Sequence, residues 1–130
     1  MNKVEIAAKA IIQRDDGKVL VLRRNDKNKL WDIPGGRIEF REDPKDGLTR
    51  EIMEETGLKV KLGAVSAVWS FMTDKDNQKV GFTMRAEYTS GEIHLSDEHC
   101  EYKWVEPAEL ANLKGNKSFS AKIAGFGTNK

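Results

Sequence analysis

Glu51, Glu54 and Glu55 fall at i,i+3 and i,i+4 spacing in the run R-E-I-M-E-E-T-G-L, residues 50–58. Wound into a helix, this run sets three carboxylates on one face, within hydrogen-bonding reach of a common point. Like charges so placed repel, each pair costing an isolated helix about 0.2–0.5 kcal/mol, and Arg50 is the close cation within the run. A hard divalent cation would neutralise such a cluster. Carboxylate oxygens without nearby Cys or His suit Mg²⁺, with Mn²⁺ as a substitute, better than Zn²⁺. Because Mg²⁺ takes few protein ligands and usually shares its shell with substrate phosphates, the expected substrate carries phosphate. The same spacing also describes an ordinary solvated acidic helix face that binds nothing.

The elements that must position these carboxylates are marked on both sides. Pro34, Gly35 and Gly36 break regular structure, so a loop is expected there, with backbone able to approach a ligand closely. Asp43 is a good N-cap, Pro44 suits the first helical position and Asp46 stands where a capping-box acid would sit. Gly57 is a natural left-handed C′ residue, so the helix should run from Pro44 to Thr56. At about 100° per residue, Leu48 and Ile52 lie beside the acidic arc, letting the helix pack on a core while its carboxylates stay at the rim. Gly47 falls inside the arc, where a missing side chain would leave room for backbone, metal or phosphate.

Gly36, Glu42, Arg50, Glu51, Glu54, Glu55 and Gly57, with aliphatic Ile52 and Leu58, match every position of the Nudix box, G-x5-E-x7-R-E-U-x-E-E-x-G-U. Pro34, Gly35 and Glu39 also resemble the family's P-G-G-x-x-E lead-in. Two variable positions depart from common usage, Arg41 where Gly is frequent and Gly47 where Ala is, which touches loop shape rather than chemistry. The resemblance implies Mg²⁺-dependent hydrolysis of a nucleoside diphosphate linked to another group. It implies that Glu51, Glu54 and Glu55 hold metal directly or through water, with the Gly35 carbonyl as a further ligand. Glu98, on a loop before the late Trp104 strand, fits the place of an extra metal-site glutamate, although it serves equally well as loop solvation. Glu51 is the expected general base, with Glu54 or Glu98 as substitutes. Arg50 would orient Glu51 or a neighbour by a charge-assisted hydrogen bond, while Glu42 and Glu39 serve as loop anchor and outer metal contact. Arg24 ends a strand that borders the family's substrate cleft, which makes it a candidate for a phosphate or base contact; otherwise it is a solvated strand edge.

With 130 residues the chain reads as one domain, 1–130, large enough for a real core. Its net charge of +1 offers no overall field for nucleic acid or an anionic membrane, so the expected partner is a small molecule, which the resemblance implies is a nucleotide. Cys100 is the only cysteine, which points to a reducing compartment, and no signal peptide or membrane span is credible, so a cytoplasmic protein is expected. A homodimer stays open.

Residues 4–13 and 19–22 read as strands joined by an Asp15-Asp16-Gly17 turn, the second so aliphatic that both faces should be buried. After the box, residues 59–62 form a short strand. Val65, Ala67, Trp69 and Phe71, then Val80, Phe82, Met84, Ala86 and Tyr88, alternate as a hairpin with one apolar face. Its aromatics read as core, or as a surface on which a purine stacks. Residues 91–98 form an acidic loop, 101–105 a strand, 107–112 a brief helix, and 114–130 a weakly helical tail with a frayed end. His94, His99 and Cys100 match no zinc spacing. Strands on either side of one strong helix imply an α/β fold, and the resemblance implies the Nudix-type α/β/α sandwich with a mixed sheet.

Subfamily tags for ADP-ribose, coenzyme A or dinucleoside polyphosphates, such as a proline or tyrosine past the box, are absent: residues 71–76 hold neither. The expected activity is therefore nucleoside triphosphate pyrophosphohydrolysis, on damaged nucleotides in one version. ADP-ribose or nucleotide-sugar cleavage is the alternative within the class, and a non-catalytic nucleotide sensor the alternative outside it.

Overall fold

Alternate residues of β1 (Lys3–Gln13) and β2 (Val19–Arg24) are buried on opposite faces, and this sets the layering. Ala8, Ala10, Ile12, Leu20 and Leu22 face one core, whereas Ile11, Val19 and Val21 face another. A sheet buried on both sides needs a cover on each. The computed structural model describes residues 1–116 and 118–126. Among these, the first core is closed by α1 (Pro44–Thr56) through Leu48, Ile52 and then Leu58; the second is closed by a 3₁₀ helix (Pro107–Asn112) and α2 (Phe119–Lys122) through Leu110, Phe119, Ile123 and Phe126. Leu48 and Ile52 are fully buried, each worth about 1.5–3 kcal/mol.

The sheet also contains β3 (Trp31–Asp32), β4 (Gly35–Arg37), β5 (Lys59–Asp74), β6 (Asn77–Ser90) and β7 (His99–Val105), in the order β3-β2-β1-β6-β5, with β4 on β1 and β7 on β2. It is mixed: β1 runs parallel to β6 along its whole length and antiparallel to β2 and β4. This is the expected α/β/α sandwich. No helix among the described residues is long and apolar enough to cross a membrane.

Helix α1 has the expected ends. Asp43 accepts the N–H of Lys45 at 2.8 Å, and Gly57 takes φ +78° and donates to the Met53 carbonyl. Several expectations change. The Pro34–Gly36 break is not wholly a loop: Gly35 and Gly36 belong to β4, which pairs with β1 opposite Lys9 and Ala8. A Cβ on Gly35 would come within 2.2 Å of the Ala8 carbonyl, so the glycine permits pairing rather than preventing it. The space at Gly47 does not receive metal or phosphate, because the side chains of Ile38 and Glu42 fill it, 2.7 and 2.8 Å from where a Cβ would sit. Residues 59–62 and 65–71 form one strand, β5, whose register slips around Val65. The slips break the alternation, leaving Val65 and Val68 exposed while Trp69 is buried. The late helix is 3₁₀. The tail beyond 114 docks through Phe119, Ile123 and Phe126 as far as the description reaches; its expected frayed end lies outside the described residues.

Arg41 adopts φ +68°, the left-handed region, in the loop before α1. An L-residue there is strained by about 1–2 kcal/mol, whereas glycine carries an unfolded-state entropy penalty of about 0.5–1 kcal/mol. Arg41→Gly is therefore expected to hold or raise stability, by up to about 1 kcal/mol in urea unfolding. A clear loss would show that the stacking of Arg41 on the Phe40 ring outweighs the strain.

Candidate active site

The acids of α1 do not share one fate. Arg50, on the same helix, grips Glu42 through two bonds of 2.7 and 3.0 Å and donates from Nη1 to both Glu51 and Glu54 at 3.2 Å. The common point of Glu51 and Glu54 is thus an arginine nitrogen, and Glu55 stands apart from it. Arg50 Nη2 also donates to the Arg37 carbonyl, tying the loop to the helix. Bonding to Arg50, then to the N–H of Glu39, holds the Glu42 carboxyl down to about 2, and Glu42 in turn keeps the Arg50 guanidinium well above its ordinary value. Glu42 is a loop anchor by geometry.

Glu51 lies against Gly36, where a Cβ would sit 2.6 Å from its carboxyl carbon, so the glycine gives this carboxylate its seat. Burial pushes the Glu51 carboxyl up, against the opposing pull of Arg50. Glu55 is more enclosed, at 6% exposure, and accepts the Gly35 N–H at 2.9 Å. Burial raises it to about 7, although Lys9 and the Gly35 N–H both favour its charged form. An acid this deep, with so little compensation, suits a site that a cation completes.

Glu51, Glu55, Gly35, Glu98, Arg24 and Glu39 all line one cleft of about 800 Å³. The sheet and α1 meet there. Glu54 and Arg50 do not line it, and the Glu54 side chain is 60% exposed. Arg24 is held by Asp26 at 2.7 Å, which poises it at the rim. The Glu98 loop is anchored by its carbonyl, which accepts the Asn25 N–H at 2.8 Å. Ligand atoms of Glu55, Glu98 and His99 all lie within 4.8 Å of one another. The donor set is carboxylate oxygen with one imidazole, which fits a hard or borderline divalent ion.

Three residues of this site, Lys9, Asp32 and Lys122, escaped the sequence reading, and a fourth, His99, was set aside by it. Lys9 donates from Nζ to Asp32 at 3.1 Å and to the carbonyls of Ile33 and Gly35 at 3.2 and 3.3 Å. The Gly35 carbonyl, expected to face metal, thus already carries an ammonium contact. Lys122 joins Asp32 from α2. His99 has its Nδ1 buried without a hydrogen-bond partner among the described residues, and burial, then Lys9, push its imidazole below its usual range. Lys9 did leave a trace, as the lysine interrupting an apolar strand; Asp32 and Lys122 left none.

A family model described as NUDIX domain matches residues 3–124. The chain is 32% identical over 111 residues to a MutT-like protein of Streptomyces ambofaciens, covering 85% of this chain and 68% of that one. It is 29% identical to an RNA pyrophosphohydrolase of Roseobacter denitrificans, covering 77% and 75%, and 29% identical to an ADP-ribose pyrophosphatase of Methanocaldococcus jannaschii, covering 83% and 65%. Its fold superposes on the MutT protein from Methanosarcina mazei Go1 with a TM-score of 0.78 at 29% identity, covering 91% and 88%. The E. coli ORF135 protein shares the fold at a TM-score of 0.81 and 24% identity, covering 95% and 91%. With a full Nudix box seated on that fold and a family match along nearly its whole length, the chain belongs to the Nudix hydrolases, enzymes that act on small nucleotide-derived substrates and generally use divalent metals.

Proposed function

We propose that the protein is a Mg²⁺-dependent nucleoside triphosphate pyrophosphohydrolase, for which Mn²⁺ substitutes. The observation that carries this reading is the cleft itself, where Glu51, Glu55 and Glu98 line one region and Arg24, Lys9 and Lys122 supply positive charge beside aromatic Trp69 and Phe71. A nucleotide needs all three features: acids for a cation, cations for phosphate, and an aromatic wall for a base.

Glu51, Glu55 and Glu98 would hold the ion, with the Gly35 carbonyl as a further oxygen and Glu54 and Glu39 reaching it through water from the rim. Once bound, the ion would screen the phosphate oxygens, lower the pKa of a water and steady the leaving oxygen. Glu51 accepts the proton of the attacking water, a role helped by the burial that raises its carboxyl. Arg50 holds the second oxygen of Glu51 in place and so acts as a positioning residue. Arg24, at the rim, turns from Asp26 to a phosphate oxygen. Water ends on one phosphorus of the α–β bridge and the bridging oxygen leaves with the other, so a triphosphate gives a monophosphate and pyrophosphate.

Chelation tests this reading. In excess EDTA the hydrolysis of triphosphates should fall at least about 100-fold and return with Mg²⁺, with monophosphate and pyrophosphate as products. Equal rates with and without chelator would overturn it. ADP-ribose as the preferred substrate in the same assay would keep the chemistry and replace the substrate class.

A further inference from the structure

Beyond the acids, the cleft carries a second arrangement of charge. Lys9 on β1 and Lys122 on α2 both direct their ammoniums at Oδ2 of Asp32, at 3.1 and 3.4 Å, and the three side chains are only 14, 5 and 8% exposed. Oδ1 of Asp32 accepts the Ile33 N–H at 2.8 Å. Both of its oxygens are therefore engaged, and two buried cations share one anion. Lys9 finds further oxygens in the Ile33 and Gly35 carbonyls. For Lys122, Asp32 is the one hydrogen-bond acceptor among the described residues, and the bond is long.

The other face of the Lys122 ammonium lies 5.6 Å from the centre of the Trp69 ring. That ring is fixed: its N–H donates to Thr83 Oγ1 at 3.0 Å, and Gly81 leaves the space it occupies, since a Cβ there would come within 2.3 Å of it. Trp69 stacks in turn on Phe71 at 5.9 Å. The contacts therefore run in one order along the cleft, from Glu55 through Gly35 to Lys9, then Asp32, Lys122 and the aromatic pair. An ammonium has three N–H donors, and a buried cation with one long bond is under-satisfied until a ligand offers it an acceptor.

We propose that Lys122 reads the nucleobase at purine C6 or pyrimidine C4, selecting bases with a carbonyl oxygen there, of guanine, hypoxanthine or uracil type, over bases with an amino group there, of adenine or cytosine type. This rests on the nucleotide-hydrolase reading above, with phosphates at the acid end and the base at the aromatic end. A carbonyl edge accepts from the ammonium. An exocyclic amino group sets donor against donor and leaves the ammonium with its one long bond to Asp32. The expected discrimination is about 10- to 100-fold, the range of a hydrogen bond to a charged group.

The test compares kcat/KM for ITP against ATP and for UTP against CTP, pairs that exchange an oxo for an amino group at one ring position, with wild-type protein and Mg²⁺. Both ratios should favour the oxo base by about 10- to 100-fold. In Lys122→Met, which keeps an apolar stem of similar length, and in Lys122→Gln, whose amide offers either a donor or an acceptor, the ratios should collapse towards one through loss on ITP and UTP. Wild-type ratios near one or reversed, or ratios intact in a folded Lys122 variant, overturn the proposal. Failure to cleave any of the four nucleotides sinks the functional reading itself, and this inference with it.

Discussion

Replacing Glu51 with glutamine is expected to lower turnover by about 10²–10⁴-fold, the range that a positioned general base contributes. The substitution is close to isosteric. The carboxyl of Glu51 rests on Gly36 with no room for extra atoms, and an amide of the same shape fits that seat. Its remaining carbonyl oxygen still accepts from Arg50 Nη1, so the network of Arg50 with Glu42 and Glu54 survives. Stability without metal should stay within about 0.5 kcal/mol, because the lost Arg50 charge pairing is offset by relief of repulsion from Glu54. What disappears is the ability to take a proton. Glu54→Gln should cost less than Glu51→Gln, since Glu54 stands outside the cleft lining. Steady-state kinetics on folded variants decide the matter: near-normal turnover in Glu51→Gln removes Glu51 as base, and a larger loss in Glu54→Gln moves the role to Glu54.

Local chemistry made α1 readable from the chain. Its cap, its first-turn proline and its terminal glycine all act within a few residues, and the acidic spacing is a property of a single helix. Long-range packing decided the rest. The close approach of Gly35 to β1, and the filling of the Gly47 notch by Ile38 and Glu42, depend on which segments meet. The buried charge network is the extreme case, since Lys122 reaches Asp32 across 90 positions of sequence. Sequence spacing likewise placed Glu54 with Glu51 and Glu55, but the direction in which a helix faces a cleft is set by its packing on the sheet. His99 was set aside because its sequence neighbours match no metal pattern; the fold supplies its neighbours instead from α1 and from the preceding loop.

Glu55→Gln should make the metal-free protein more stable than wild type at pH 8, by about 2–3 kcal/mol. Unfolded, Glu55 ionises near 4.5; folded, burial makes it hold its proton to about 7. Between those values the folded chain binds more protons than the unfolded one, so stability falls as pH rises through the window and then levels off. The interval corresponds to about 3 kcal/mol, a net figure that already includes the attraction of ionised Glu55 to Lys9. Glutamine does not titrate and can still accept the Gly35 N–H, so the variant loses this slope while keeping the bond. Lys122 does not confuse the reading: burial lowers its ammonium to about 8 from 10.5, so its contribution rises with pH only above that window. Urea unfolding in EDTA from pH 4 to 8 should show wild type and variant nearly equal at the acid end and diverging towards pH 7. Added Mg²⁺ should then close most of that gap at pH 8, because an ion bound 100-fold above its Kd stabilises wild type by about 2.7 kcal/mol and the variant much less. Parallel stability curves across the whole range would mean that Glu55 is ionised when folded, and an equal Mg²⁺ response in both proteins would remove it from the ion's ligands.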